Sequence, residues 1–226
     1  MLQLRHRDDY LEVGCGTGRL LARAAHFGGR CVGFDLSPNM CRVARRHCVG
    51  ELGASEVAEG EGEESQKGRE GQEGRVRGEY GGRVRVVCGD AVKILEASSA
   101  TAMPRATTMV DAAAIMFTLE LFDEADAIRL LRGIRNRLRP GGISGEGGES
   151  KPPSRLVIVA MSSDVKNKRS CSMCCYAWCH RNCSCVVDCR PIDVSRWVET
   201  AGFKVHERRV MGMYGLAVEL VEARLP

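Results

Sequence analysis

No run of about 18 apolar residues interrupts this 226-residue chain, and its N-terminus carries no apolar leader, so neither membrane spanning nor secretion is indicated. Strong charge of one sign is also missing: 33 Lys and Arg face 29 Asp and Glu, a net of +4, too mild on its own to imply a nucleic-acid partner. Proline is scarce at seven residues. What is present is 44% hydrophobic and 27% charged residues, enough for one globular domain with a substantial core. A soluble, cytoplasmic protein is the expectation. Cysteine is abundant at twelve residues, yet strand and helix patterns already supply a core that small stapled proteins lack, so reduced thiols are expected rather than a disulfide framework.

Strand and helix patterns alternate along the chain. Tyr10 to Val13 suits a buried strand, and Thr17 to His26 carries Leu20, Leu21 and Ala24 at helical spacing. Arg30 to Phe34 is a second strand ended by Asp35; Ser37 and Pro38 then read as an N-cap and first helical residue of a helix running toward Val49. Residues 51–82 break this rhythm with nine Gly and nine Glu against four Lys or Arg, and read as a disordered insertion. Strands are expected again at Arg83–Cys88, Thr108–Phe117, Leu156–Met161, Lys204–Val210 and Ala217–Ala223. Helices are expected at Val92–Ala97, along the stripe from Ala127 to Leu138, and at Asp193–Ala201. A second Gly/Pro-rich insertion covers 143–153. Such repeated crossovers predict an α/β, doubly wound, mostly parallel sheet with an antiparallel C-terminal edge pair, in a single domain over 1–226.

In such a sheet the ligand sits outside the carboxyl ends of the strands. The first strand runs into Glu12-Val13-Gly14-Cys15-Gly16-Thr17-Gly18, and Asp35 ends the second strand, where a carboxylate can accept both hydroxyls of a ribose. A nucleoside is implicated. A dinucleotide fingerprint would need glycine where Arg19 stands, so the loop is of a different kind. Together with Gly89-Asp90-Ala91 it resembles the class I S-adenosylmethionine-dependent methyltransferases, and the Rossmann-like, seven-strand-type sheet of that family is what the resemblance implies. It further implies that Glu12, Gly14, Gly16 and Gly18 form the loop around the methionine and ribose, that Asp35 holds the ribose hydroxyls, and that Asp90, next to Ala91, accepts from the adenine amino group. Met40 is a candidate for the adenine face, with core packing the equal alternative.

The stretch from Met116 to Gly142 is similar to the fourth strand and following helix of methyltransferases related to the menaquinone and ubiquinone C-methyltransferases, and the segments starting at Tyr176 and Tyr214 are similar to C-terminal parts of bacterial small-molecule methyltransferases. The resemblance implies a small-molecule acceptor and transferase (EC 2.1.1) chemistry. Methyl transfer needs alignment more than a nucleophile. For a phenol or quinol-carbon acceptor, His180, Asp188 and Glu120 are the candidate bases; the alternatives are a surface histidine, a cap or loop carboxylate and a solvated loop charge. Only about ten residues precede the first strand, where the family commonly places one or two covering helices. A shortened chain, a second subunit completing the acceptor site, or a cofactor-binding or metal-binding protein without turnover are the resulting alternatives.

Seven cysteines, Cys171, Cys174, Cys175, Cys179, Cys183, Cys185 and Cys189, surround His180. A zinc site, capture of arsenite as a metalloid acceptor, and ordinary small apolar or surface residues all fit; without a second well-spaced pair, no residue is assigned to metal. Arg129, Arg132, Arg135 and Arg139 repeat along one helix, where a solvated face is the simpler reading than phosphate contact.

Overall fold

The computed structural model describes residues 3–27, 29–53, 55, 57–58, 83–96, 109–143, 150–151, 153–163, 178, 190–213 and 216–226. Its main sheet has the order β3-β4-β2-β1-β5-β8-β10-β9. The strands are β1 (Tyr10–Val13), β2 (Cys31–Asp35), β3 (Val57–Ala58), β4 (Val84–Cys88), β5 (Ala112–Met116), β8 (Arg155–Met161), β9 (Lys204–Met213) and β10 (Leu216–Arg224). Seven are full strands; β3 is a two-residue edge beside β4. β1 pairs in parallel with β2 and β5, and β5 with β8. Only β10 runs against its neighbours, lying between β8 and the edge strand β9. The expected doubly wound sheet with an antiparallel C-terminal pair is what forms.

Alternation along β1 divides the core. Leu11 and Val13 join one apolar cluster with α3 (Ala91–Glu96), α4 (Glu124–Arg135) and α5 (Val194–Thr200); Tyr10 joins the other, with α1 (Arg19–Ala25) and α2 (Pro38–Leu52). Helix ends follow from local chemistry. Ser37 Oγ accepts from the Met40 N–H with Pro38 at the first helical position, and Asp123 Oδ1 accepts from the Asp126 N–H at 2.8 Å. In α4 the acids Glu124 and Asp126 open the helix and Arg132 and Arg135 close it, both favourable to the helix dipole. Leu130, Leu131 and Ile134 are fully buried, each worth roughly 1.5–3 kcal/mol of apolar transfer.

Both expected insertions are described only at their ends. α2 reaches Leu52 and Val57–Ala58 pairs with β4; most of 51–82 lies outside the described residues. Gly142–Ile143 (β6) pairs antiparallel with Ser150–Lys151 (β7), which places the ends of the second insertion in a short ribbon. The C-terminal strands are longer than the sequence pattern suggested, because exposed residues continue β9 to Met213. Two arginines of α4 are engaged with protein: Arg129 pairs with Glu96 at 2.6 Å and Asp126 at 2.7 Å, and Arg135 Nε donates to the Gly202 carbonyl. No helix among the described residues is long and apolar enough to cross a membrane.

Candidate functional site

β1 is where the strand order reverses: the chain passes from β1 outward through β2 and β4, then returns to its other side with β5. The carboxyl ends of strands diverge at such a point and leave a crevice. A cavity of about 460 Å³ lies there, lined from the glycine loop by Val13, Gly14 and Gly16, from β2 and α2 by Phe34, Asp35, Leu36 and Met40, from β4 and α3 by Gly89, Asp90 and Ala91, and from β5 onward by Met116, Phe117, Thr118, Leu121 and Phe122.

Two glycines explain the loop. At Gly14 (φ +71°) an added Cβ would lie 2.1 Å from Thr118 Oγ1, so the backbone of the loop and the end of β5 touch with no room for a side chain. At Gly16 (φ +52°) the space around such a Cβ is open; it faces the cavity and leaves backbone free to meet a ligand. Asp35 holds this geometry: its Oδ2 accepts from the Gly16 N–H at 2.8 Å and its Oδ1 from the Ser37 N–H at 2.9 Å. Each oxygen retains a lone pair. Asp90 caps α3 through the Val92 N–H at 3.0 Å, leaving Oδ2 beside Lys93 at 3.6 Å.

Of the residues singled out in the sequence, Gly14, Gly16, Asp35, Met40, Asp90 and Ala91 meet at this cavity. Three do not. Gly18 packs instead against Ala44 of α2. Glu12 is buried beneath the loop with Oε2 unpartnered; burial pushes its pKa up to about 8, opposed by Tyr10 and assisted by the Asp35 charge. Glu120, expected to face an acceptor or solvent, is 1% exposed in the short 3₁₀ turn Leu119–Leu121 and lines no part of the cavity. Burial raises its pKa, offset in part by its own and the Met161 backbone amides. His180, Asp188 and the cysteine cluster lie outside the described residues. Among the described residues no group of three or more His, Cys, Asp or Glu could hold a metal ion.

The apolar wall after β5 is what sequence reasoning missed. Phe117, 40% exposed beside the cavity, adopts φ +50°, a conformation costly for a bulky residue, with its N–H bonded to the Val159 carbonyl at 2.7 Å. Leu121 and Leu36 stand more exposed still at the same rim. The only available signal was position, immediately after a buried strand.

Comparison with known proteins agrees with this geometry. The family model described as a methyltransferase domain matches residues 11–144, more than half of the chain. No curated protein matches. Among solved structures, a protein described as a SAM-dependent methyltransferase from Methanosarcina mazei is 14% identical with a TM-score of 0.62, covering 98% of this chain and 94% of its own. The N-methyltransferase NodS from Bradyrhizobium japonicum, solved with S-adenosyl-L-homocysteine, is 13% identical with a TM-score of 0.56 and coverages of 97% and 78%. The mitomycin 7-O-methyltransferase MmcR is 18% identical with a TM-score of 0.60 over 97% of this chain and 49% of its own. The chain thus spans about half the length of MmcR, as it does of the pyocyanin biosynthetic protein PhzM, where the share is 52%. With the matched stretch running from β1 through the glycine loop and both aspartates and past the end of α4, the chain belongs to the methyltransferase-domain family, and its fold is that of the S-adenosylmethionine-dependent methyltransferase structures it resembles.

Proposed function

We propose that the chain is one domain that binds S-adenosylmethionine in the cavity at the carboxyl ends of β1, β2, β4 and β5 and methylates a small-molecule acceptor entering over the apolar wall. One observation carries the reading: the glycine loop and the carboxylates of Asp35 and Asp90, far apart in sequence, line a single cavity at the strand-order reversal. The residues fit the cofactor. Open space at Gly16 admits it against backbone, Asp35 keeps free lone pairs for ribose hydroxyls, Asp90 follows the neighbouring strand β4 for the adenine edge, and Met40, 43% exposed, is free to cover the ring.

When bound, S-adenosylmethionine supplies a methyl group on a cationic sulfur. Asp35 and Asp90, the only ionisable residues among the described residues lining the cavity, give the site a negative sign suited to a cation. Met116, Phe117, Leu121 and Phe122 exclude water and hold an apolar acceptor in line, and such positioning alone can supply roughly 7–11 kcal/mol of a bimolecular barrier. Since no described residue on the wall is placed as a base, the reading favours acceptors that need little help in losing a proton, with His180 or Asp188 as proposed bases for others. The apolar rim is also where a second subunit would complete the acceptor site. Metalloid methylation through the cysteine cluster remains a separate proposal, tested by turnover of arsenite.

Calorimetric titration of S-adenosylmethionine and S-adenosylhomocysteine into reduced protein tests the reading. Saturable binding that Asp35→Ala and Asp90→Ala both weaken is expected; a folded protein that binds neither would overturn it.

A further inference from the structure

Two thiols abut the proposed cofactor cavity without lining it. Cys41 lies in the first turns of α2, one residue after Met40, and Cys88 ends β4, one residue before Gly89. Asp35 and Cys88 are register partners across β2 and β4. Cys41 Sγ reaches over this pair, 3.4 Å from the Asp35 carbonyl and 3.8 Å from the Val87 carbonyl, and Cys88 Sγ is 4.0 Å from the Leu36 carbonyl. Both sulfurs thus lie against the turn that follows β2, within 4.0 Å of the consecutive carbonyls of Asp35 and Leu36. Both are free; Cys41 is buried and Cys88 is partly open to solvent.

We propose that Cys41 and Cys88 are a modification site, a dithiol that a peroxide converts to a reversible disulfide, and that this bond weakens cofactor binding in the adjoining cavity. The second half rests on reading that cavity as the S-adenosylmethionine site. The chemistry balances as follows. The accessible Cys88 thiolate attacks one peroxide oxygen: an S–O bond forms, the O–O bond breaks, and the departing hydroxide takes up a proton to become water. Cys41 then attacks the Cys88 sulfur: the S–S bond forms, the S–O bond breaks, and a second water leaves with the Cys41 proton. Two thiols lose two electrons and the peroxide gains them. Burial, with Cys88 adding to it, pushes the Cys41 thiol up to about 12, so the second step is the slow one and quickens as pH rises.

The consequence for the cavity is geometric. Met40 and Gly89 both line it, and the bond would tie their immediate neighbours together. A disulfide fixes its two Cα atoms at about 4.4–6.8 Å, so the first turns of α2 and the end of β4 lose freedom to adjust around a ring placed between them. Both S–H groups facing the Asp35 and Leu36 carbonyls are consumed as well.

The test treats the full chain with hydrogen peroxide at pH 8, blocks remaining thiols, and maps cross-linked peptides by mass spectrometry before and after dithiothreitol. S-adenosylhomocysteine affinity is measured in parallel for wild type and Cys88→Ser. Expected are a Cys41–Cys88 peptide that dithiothreitol removes, a loss of affinity of about threefold or more on oxidation, and a Cys88→Ser variant whose affinity peroxide leaves unchanged. Absence of the Cys41–Cys88 peptide under conditions that oxidise other cysteines overturns the site, and a cross-link without loss of affinity overturns its effect. The peptide map needs no variant to fold, and failure of reduced wild type to bind S-adenosylhomocysteine would sink the cofactor reading and with it the effect on binding, while the map still decides the disulfide.

Discussion

The two ends of the parallel strands handle charge in opposite ways. At the amino ends, Asp9 accepts from Arg30 through Nη2 at 2.6 Å, Nε and the backbone N–H, and from Arg139 Nη2 at 2.5 Å, while Arg139 also pairs with Asp111 and Arg155 with Asp8. At the carboxyl ends, Asp35 and Asp90 accept chiefly from backbone amides and have no arginine partner among the described residues; Lys93 approaches Asp90. Acids at one end are spent on holding strands and loops together. Those at the other hold a loop in shape and keep accepting capacity for something else.

That contrast can be broken from either side. The largest effect is expected at the amino ends: Asp9→Ala should cost about 2–4 kcal/mol of stability in urea unfolding, discounted from a fully buried pair because Arg30 is half exposed, with S-adenosylhomocysteine affinity within about twofold of wild type. Burial alone would raise the Asp9 carboxyl, but hydrogen bonds from Arg30 and Arg139 outweigh it and hold the group below its ordinary value. Its contribution is therefore present above the unfolded pKa near 3.9 and lost as pH falls through the lower folded one, and an acid titration of Asp9→Ala should lack that limb. Next in size, Asp35→Ala should reverse the pattern, with affinity falling about tenfold or more by calorimetry and stability falling by only about 1 kcal/mol, the share of its two backbone bonds.

Glu12 sharpens the comparison because it stands at the carboxyl end with neither arginine nor ligand. Its folded pKa of about 8 lies above the unfolded value, so the folded state holds a proton that the unfolded chain releases, and stability should decline as pH rises from about 4.3 toward 8. Glu12→Gln should remove that decline and gain on the order of 1–2 kcal/mol at pH 8, read from urea midpoints against pH. The smallest effect concerns backbone strain: Phe117→Gly should be more stable than Phe117→Ala by about 1 kcal/mol, since only glycine accepts φ +50° without cost.

Much of the cofactor side was legible in advance because its requirements are local. A glycine that must take positive φ, an acid at a strand end and a cap before a helix are each readable within a few residues, as Gly14, Gly16, Asp35 and Ser37 show. The proposed acceptor side was not, because its lining is ordinary apolar residues whose exposure depends on where β5 stops. Glu120 shows the same limit. A carboxylate three residues beyond a strand reads as solvated, and only the tight 3₁₀ turn between β5 and α4 takes it inside. α2 runs on past Val49 to Leu52 because its inner face is set by Cys41, Ala44 and Cys48 rather than by the polarity of its last turn.

The contact between Gly14 and Thr118 bears on how such a protein can change its substrate. The missing side chain of one residue is the space occupied by the other, so the loop proposed to hold the cofactor and the wall proposed to meet the acceptor are not separable modules. Replacing the end of β5 with that of another methyltransferase would succeed only where the residue at position 118 is no larger than threonine; any bulkier graft would push on the glycine loop, and a change of acceptor would be felt as a change in cofactor affinity.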